Sequence, residues 1–488
     1  ALNGGGGNIT IASDTALTPA AGTYNATHNR IFSTGGVLTL APFSNGSTIN
    51  IGSAGGTLNI SAAILDGSDA IFGNGGKFAG FVIGGASQTG VTTLFGTITT
   101  GATNPADLTF AGPVILGSAT TINTTNKQIT FNKTINGAFS LASNSGTAGT
   151  AFLGEVGAVT ALTSVSITAG SVALGGAIDT TGNQTWNAAM TLSGDTLLQA
   201  GTAGTGSITI GSNANIDVLR FRLTIQADNL TFNSGAQIRS STLDGSLQIM
   251  PLTATRTIGI NTSSCANSAT AVTCGITLPA SLWSGAGAVF RDGFASIVVG
   301  STSQTGNINI LGGSSVAPFV LTSPLVLQQT ASTCTASTST CSIGTYGSSA
   351  STGHIQYQGS NATGGFTINA SRTAYLGLGT NISAASGKKV NIGLSTYIAS
   401  GLIDLSLGSI TLNASGGAIS LVSDTMSLAG ASNSNVIQSA GGTLSIAPQT
   451  PSVTIGIGTG TGSLSLPSIL WNGSSSNGAA PTALTIAN

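Results

Sequence analysis

Charge is almost missing from this chain: 12 basic and 13 acidic residues are spread over 488 positions, 5% of the total, against about a quarter in ordinary globular proteins. Nucleic-acid binding through phosphates needs a basic stripe. Here the only close basic pairs are Lys388-Lys389 and Arg220 with Arg222, so no nucleic-acid partner is expected. Glutamate is represented once, by Glu155, and acid–base catalysis usually needs two carboxylates. The nearest acidic pair, Asp66 and Asp69, follows Ile64-Leu65 and reads as turn residues. Histidine occurs twice, as His28 and His354, far apart and away from cysteine or acidic clusters of metal-binding spacing. No calcium-binding nonapeptide or EF-hand loop is present. The sequence therefore predicts a protein that is not an enzyme, with no catalytic residue, no cofactor and no metal site. Long apolar runs are missing too, and none approaches the roughly 20 residues of a membrane helix. The opening Ala1-Leu2-Asn3 and its four following glycines lack the basic and apolar regions of a secretory signal peptide, which leads us to expect a mature chain or a fragment.

What is abundant is glycine, 71 residues, together with 40% hydrophobic residues, a content that excludes charge-rich disorder. The apolar residues fall in short alternating runs such as Ile9-Thr10-Ile11, Leu108-Thr109-Phe110, Ile129-Thr130-Phe131, Val165-Ser166-Ile167, Ile208-Thr209-Ile210 and Leu223-Thr224-Ile225. Period two is the strand signature. Between the runs lie Gly, Asn, Ser and Asp, the residues of tight turns. No segment carries an amphipathic-helix pattern, so the chain reads as almost entirely β.

A longer repeat overlies the strands. Ile9 to Asp14 returns as Leu223 to Asp228 and as Ile419 to Asp424, and Leu40-Ala41-Pro42 returns as Ile249-Met250-Pro251 and Ile446-Ala447-Pro448. The first two copies stay aligned through Gln88-Thr89-Gly90 and Gln304-Thr305-Gly306. These matches divide the chain into residues 1–222, 223–418 and a partial copy, 419–488. Repetition of this kind builds a stack in which each piece buries its apolar face on its neighbours. Strands recurring every 15 to 25 residues or so fit the coils of an elongated parallel β-helix, or β-solenoid. Tandem β-sandwich domains are the alternative. Asp14, Asp228 and Asp424 share one repeat position and read as turn caps rather than metal ligands.

Four cysteines form two close pairs, Cys265 with Cys274 and Cys334 with Cys341. The first copy reaches Leu58 sixteen residues after Pro42, whereas the second takes twenty-five from Pro251 to Ile276, and the excess encloses the first pair. The second pair sits on a like insertion between Pro324 and Ile355. Both pairs are thus expected as disulfides on protruding loops, which implies an oxidising, extracytoplasmic setting. Sequons at Asn25, Asn59, Asn229, Asn361 and Asn413 are what so Asn-, Ser- and Thr-rich a chain produces by chance.

The Ile-Thr-Ile strands, the stretch Asn183-Gln-Thr-Trp186-Asn-Ala-Ala-Met-Thr-Leu192, and the Gly-x-x-x-Gln-Thr-Gly turns resemble the repeat regions of filamentous-haemagglutinin-like large bacterial exoproteins. The resemblance runs over nearly the whole chain. It implies a secreted, cell-surface parallel β-helix acting in adhesion, biofilm or surface fibres. An amino-terminal secretion domain of the Asn-Pro-Asn-Gly type is not recognisable, and no catalytic residue carries over. The expectation is a non-enzymatic extracellular adhesin or filament subunit, with surface glycans or host and abiotic surfaces as partners. A carbohydrate-active β-helix enzyme or carbohydrate-binding passenger domain is the alternative. End-to-end self-association is expected because the first charged residue is Asp14 and none follows Asp424.

Overall fold

The structure is a computed structural model and describes residues 2–15, 31–68, 72, 78–101, 105–202, 204–263, 273–314, 316–331, 333, 342–346, 352–359, 365–370, 373–376, 381–384, 389–394, 402–405, 411–413, 418–428, 436–438, 443–448, 450–458, 460–466 and 483–486. It divides into two compact units, Ala1–Asp217 with Leu230–Ala236, and Val218–Asn229 with Gln237–Asn488. Among the described residues each is all-β apart from a single helical turn: Ala62–Asp66 in the first unit and Ala280–Leu282 in the second. No described helix is long and apolar enough to cross a membrane.

In the first unit, alternation becomes burial directly. Along Ser164–Leu174, Val165, Ile167, Ala169, Val172 and Leu174 are buried, while Ser166, Thr168, Gly170 and Ser171 are exposed. Strands pair in parallel, one copy of the pattern on the next, so like residues fall into columns about 4.8 Å apart. Phe110 pairs with Phe131, Phe131 with Phe152, and the column continues through Leu174 to Leu192. The Phe110 and Phe131 rings stack at 5.0 Å and 12°, and Phe131 and Phe152 at 5.3 Å and 3°. Trp186 closes the stack edge-on against Phe152 at 6.4 Å. A second inward column runs Ile98, Ile122, Ser143, Ile167, Trp186, Ile210 and Phe232. Its one hydroxyl, Ser143, is buried and meets Thr150 at 3.1 Å, so the polar group is satisfied inside the core.

The second unit repeats the plan. One parallel column passes from Leu223 through Leu247, Ile297 and Leu325 to Phe366, and its register continues through Val390, Ile419 and Leu444 to Leu484. Two further ladders run beside it, one from Ile308 to Ile343 and Ala374, the other from Phe319 to Ile355 and Ile382. Among the described residues the only antiparallel pairing joins Gly313–Ser314 to Thr352–Tyr357.

Two features depart from the sequence reading. Partners on one column are sometimes far apart, as with Leu247 and Ile297 or Leu38 and Phe81. The excess holds a small extra strand pair, Ile258–Ile260 with Ile276–Leu278 or Ile49–Ile51 with Leu58–Ile60. The helical turn follows that pair in both units. Ile64 and Leu65, like Leu282 and Trp283, are buried beneath it, and Trp283 meets Phe290 edge-on at 4.9 Å. A single turn is too short to leave a helical period in sequence.

Candidate functional site

The three repeated aspartates, expected as turn caps, each reach a residue 25 to 30 positions further on. Asp14 Oδ1 accepts the Ser44 N–H at 2.9 Å while Oδ2 accepts the Ser44 hydroxyl at 2.6 Å. Asp228 holds Thr253 in the same way at 2.9 and 2.5 Å, and Asp424 holds Thr450 at 2.7 and 2.6 Å. Each aspartate follows one strand and clamps the residue two past the repeat proline, just beyond a later strand. Asp228 is fully buried and Asp424 nearly so. Hydrogen bonds from the Ser44 hydroxyl and then the Ser44 N–H hold the Asp14 carboxyl below the usual carboxylate range, against a smaller opposing effect of burial. The signal was present in the sequence, since Ser44, Thr253 and Thr450 occupy one repeat position.

Other short polar side chains act in the same direction. Asn8 accepts from Val37 N, Asp107 from Gln128 N, Asn126 from Thr147 N, Asn183 from Ser207 N and Asn307 from Ser342 N. Asn136 Oδ1 accepts two, from Val159 N at 2.9 Å and Thr160 N at 3.1 Å. In each of these the acceptor precedes its donor in the chain by 21 to 35 residues.

The Gln-Thr-Gly turns form a second repeated device. Gln88 Nε2 donates to Gly90 O at 2.8 Å and Gln304 Nε2 to Gly306 O at 3.1 Å, which closes each turn on itself. Thr89 N and Gly90 N, both at 2.9 Å, and the Thr89 hydroxyl at 3.2 Å then donate to the carbonyl of Asn45. Thr305 N at 2.8 Å, Gly306 N at 2.9 Å and the Thr305 hydroxyl at 3.2 Å cradle the carbonyl of Ala254 identically. A Cβ on Gly90 would lie 2.1 Å from Ser47 O, and one on Gly306 2.2 Å from Arg256 O, so glycine is required by close approach.

The remaining sequence candidates are scattered. Asp66 accepts from Ser68 N at 2.7 Å within its own turn, Glu155 is exposed, and His354 lies half-buried opposite Gly313. Among the described residues no three His, Cys, Asp or Glu side chains gather as a metal would need. Cys274 is disulfide-bonded and mostly buried, whereas Cys265, Cys334 and Cys341 lie outside the described residues, as do His28, Asp69, Asn25 and Asn361. Asn59 is half-buried and its amide is committed to Gly56 at both ends.

On the outer side of the first unit, the register aligns polar residues into columns. One runs Thr97, Thr121, Ala142, Ser166, Thr185, Thr209 and Thr231; beside it runs Thr99, Asn123, Asn144, Thr168 and Asn187. The two columns are neutral, and they present hydroxyls and amides at about 4.8 Å along each column. No family model, no curated protein and no solved structure matches the chain.

Proposed function

We propose that this protein is a non-enzymatic extracellular structural protein, a β-solenoid serving as a surface adhesin or fibre subunit. The observation that carries the reading is the parallel register repeated down each unit, which in the first unit stacks an apolar column inside and a largely hydroxyl and amide column outside, interrupted by Ala142. Parallel pairing of short strands across successive coils favours a solenoid over antiparallel β-sandwiches. Many weak hydrogen-bonding groups on a regular lattice suit contact with extended neutral partners such as surface glycans, where affinity accumulates by multivalency. Low charge removes repulsion between copies and favours self-association.

The test is retention of the purified chain on immobilised neutral polysaccharides and on abiotic surfaces. The parent is compared with a variant carrying Thr121→Lys, Ser166→Lys and Thr185→Lys on the outer column. Retention of the parent and its loss in the variant, at unchanged circular dichroism, supports the reading. Turnover of polysaccharide in the same assay would favour a carbohydrate-active enzyme instead.

A further inference from the structure

Three adjacent Asn-Gly pairs are described, and their surroundings differ in one chemically decisive respect. An asparagine side chain followed by glycine is attacked by the glycine amide nitrogen, provided that nitrogen is unencumbered and able to lose its proton. At Asn3-Gly4 the Gly4 N–H donates to Phe32 O at 2.9 Å, and the Asn3 side chain accepts from Gly5 N. At Asn136-Gly137 the Gly137 N–H donates to Thr160 O, while the Asn136 side chain holds Val159 and Thr160. Both pairs are locked. At Asn45-Gly46 the Asn45 side chain and the Gly46 N–H have no hydrogen-bond partner among the described residues, both residues are exposed in a turn, and a Cβ on Gly46 would meet open space.

The carbonyl of that peptide is the one cradled by Thr89 N, Gly90 N and the Thr89 hydroxyl. When the Gly46 nitrogen loses its proton, the negative charge is shared with the Asn45 carbonyl oxygen. Three donors already point at that oxygen. This is the arrangement by which preorganised donors stabilise developing oxyanions, here placed on the amide that must become a nucleophile. The Ala254 carbonyl sits in the same cradle of the second unit, but Ala254-Thr255 offers nothing to react.

We propose that Asn45-Gly46 is a self-modification site, at which the cradle that docks one coil on the next also activates deamidation. The Gly46 nitrogen bonds to Asn45 Cγ, and the Cγ–Nδ2 bond breaks with release of ammonia, the nitrogen's proton leaving with it. Water then opens the five-membered imide at either carbonyl, giving an aspartyl or isoaspartyl linkage. Each event adds one negative charge to a chain whose formal net charge is −1, one residue from the Ser44 that Asp14 clamps.

The experiment incubates the whole purified chain in mildly alkaline buffer, folded and in parallel unfolded in guanidinium, and follows each Asn-Gly peptide by mass spectrometry and isoaspartyl methylation. Asn45 is expected to convert roughly tenfold faster in the folded chain, less than the roughly 10²–10³ that one such donor contributes inside a closed active site. Asn3 and Asn136 are expected to convert more slowly folded than unfolded. Conversion of Asn45 no faster in the folded than in the unfolded chain would overturn the proposal. A second variant, Ala254→Asn with Thr255→Gly, places the reactive pair in the second cradle. Folded-state acceleration at position 254 supports the cradle's role, and its absence in a variant with parental circular dichroism refutes it.

Discussion

Asp228 accepts both the N–H and the hydroxyl of Thr253, at 2.9 and 2.5 Å, from a position with no solvent exposure. Replacing Asp228 by Ala removes both hydrogen bonds from the half-buried Thr253 and should cost about 2–3 kcal/mol, the range for hydrogen bonds to a charged group. Asp228→Asn keeps an acceptor for the N–H and should cost about 1 kcal/mol. Urea titration of the three chains side by side checks the order; an Asn variant as damaged as the Ala variant would contradict it.

Asp14 offers a pH test of the same contact. Hydrogen bonds from the Ser44 hydroxyl and then the Ser44 N–H to the charged form hold its folded pKa below the ordinary carboxylate value. The unfolded chain therefore binds the proton more readily, and the clamp's stabilisation is fully present above the unfolded pKa and lost as pH falls through the folded one. Melting temperatures of parent and Asp14→Asn should differ by a constant amount at neutral pH, and the gap should close in strong acid. A gap that widens on acidification would reverse the sign.

The stacked rings predict a graded loss. Phe131→Ala removes the middle ring between Phe110 and Phe152 and should cost about 3–5 kcal/mol. Phe131→Leu fills much of that space and should cost about 1–2 kcal/mol, partly through the lost ring contacts. Chemical denaturation followed by the fluorescence of Trp186, which lies edge-on to Phe152, reads the loss locally.

Non-reducing peptide mapping should recover Cys265 linked to Cys274 and Cys334 linked to Cys341. A bridge between Cys265 and Cys334 would defeat the insertion-loop argument. Cys274→Ser should leave the Leu247 and Ile297 strands paired, because a short loop constrains little of the unfolded chain; hydrogen exchange at those amides measures it.

The strands were legible because period-two alternation survives translation into burial, as Ser164–Leu174 shows residue by residue. Correspondence between copies was legible as well, and it located the aspartates. What they hold was not: Ser44 lies 30 residues from Asp14 and Thr253 lies 25 from Asp228, and sequence pattern reports neighbours along the chain more readily than neighbours across the sheet. The helical turns at Ala62–Asp66 and Ala280–Leu282 escaped because their apolar residues, Ile64-Leu65 and Leu282-Trp283, are adjacent and match either period. The outward column from Thr97 to Thr231 escaped because uneven spacing between paired strands along the chain hides a register that is even in space.

Eight of the corner contacts share one direction. Asn8, Asp14, Asp107, Asn126, Asn183, Asp228, Asn307 and Asp424 each wait for an amide that emerges later in the chain. A polypeptide that has completed one of these strands therefore already displays the acceptor that will receive an amide from a later one. At these eight places the fold is arranged like a zip fastener with its slider facing the carboxyl terminus, and the aspartates and asparagines are its teeth.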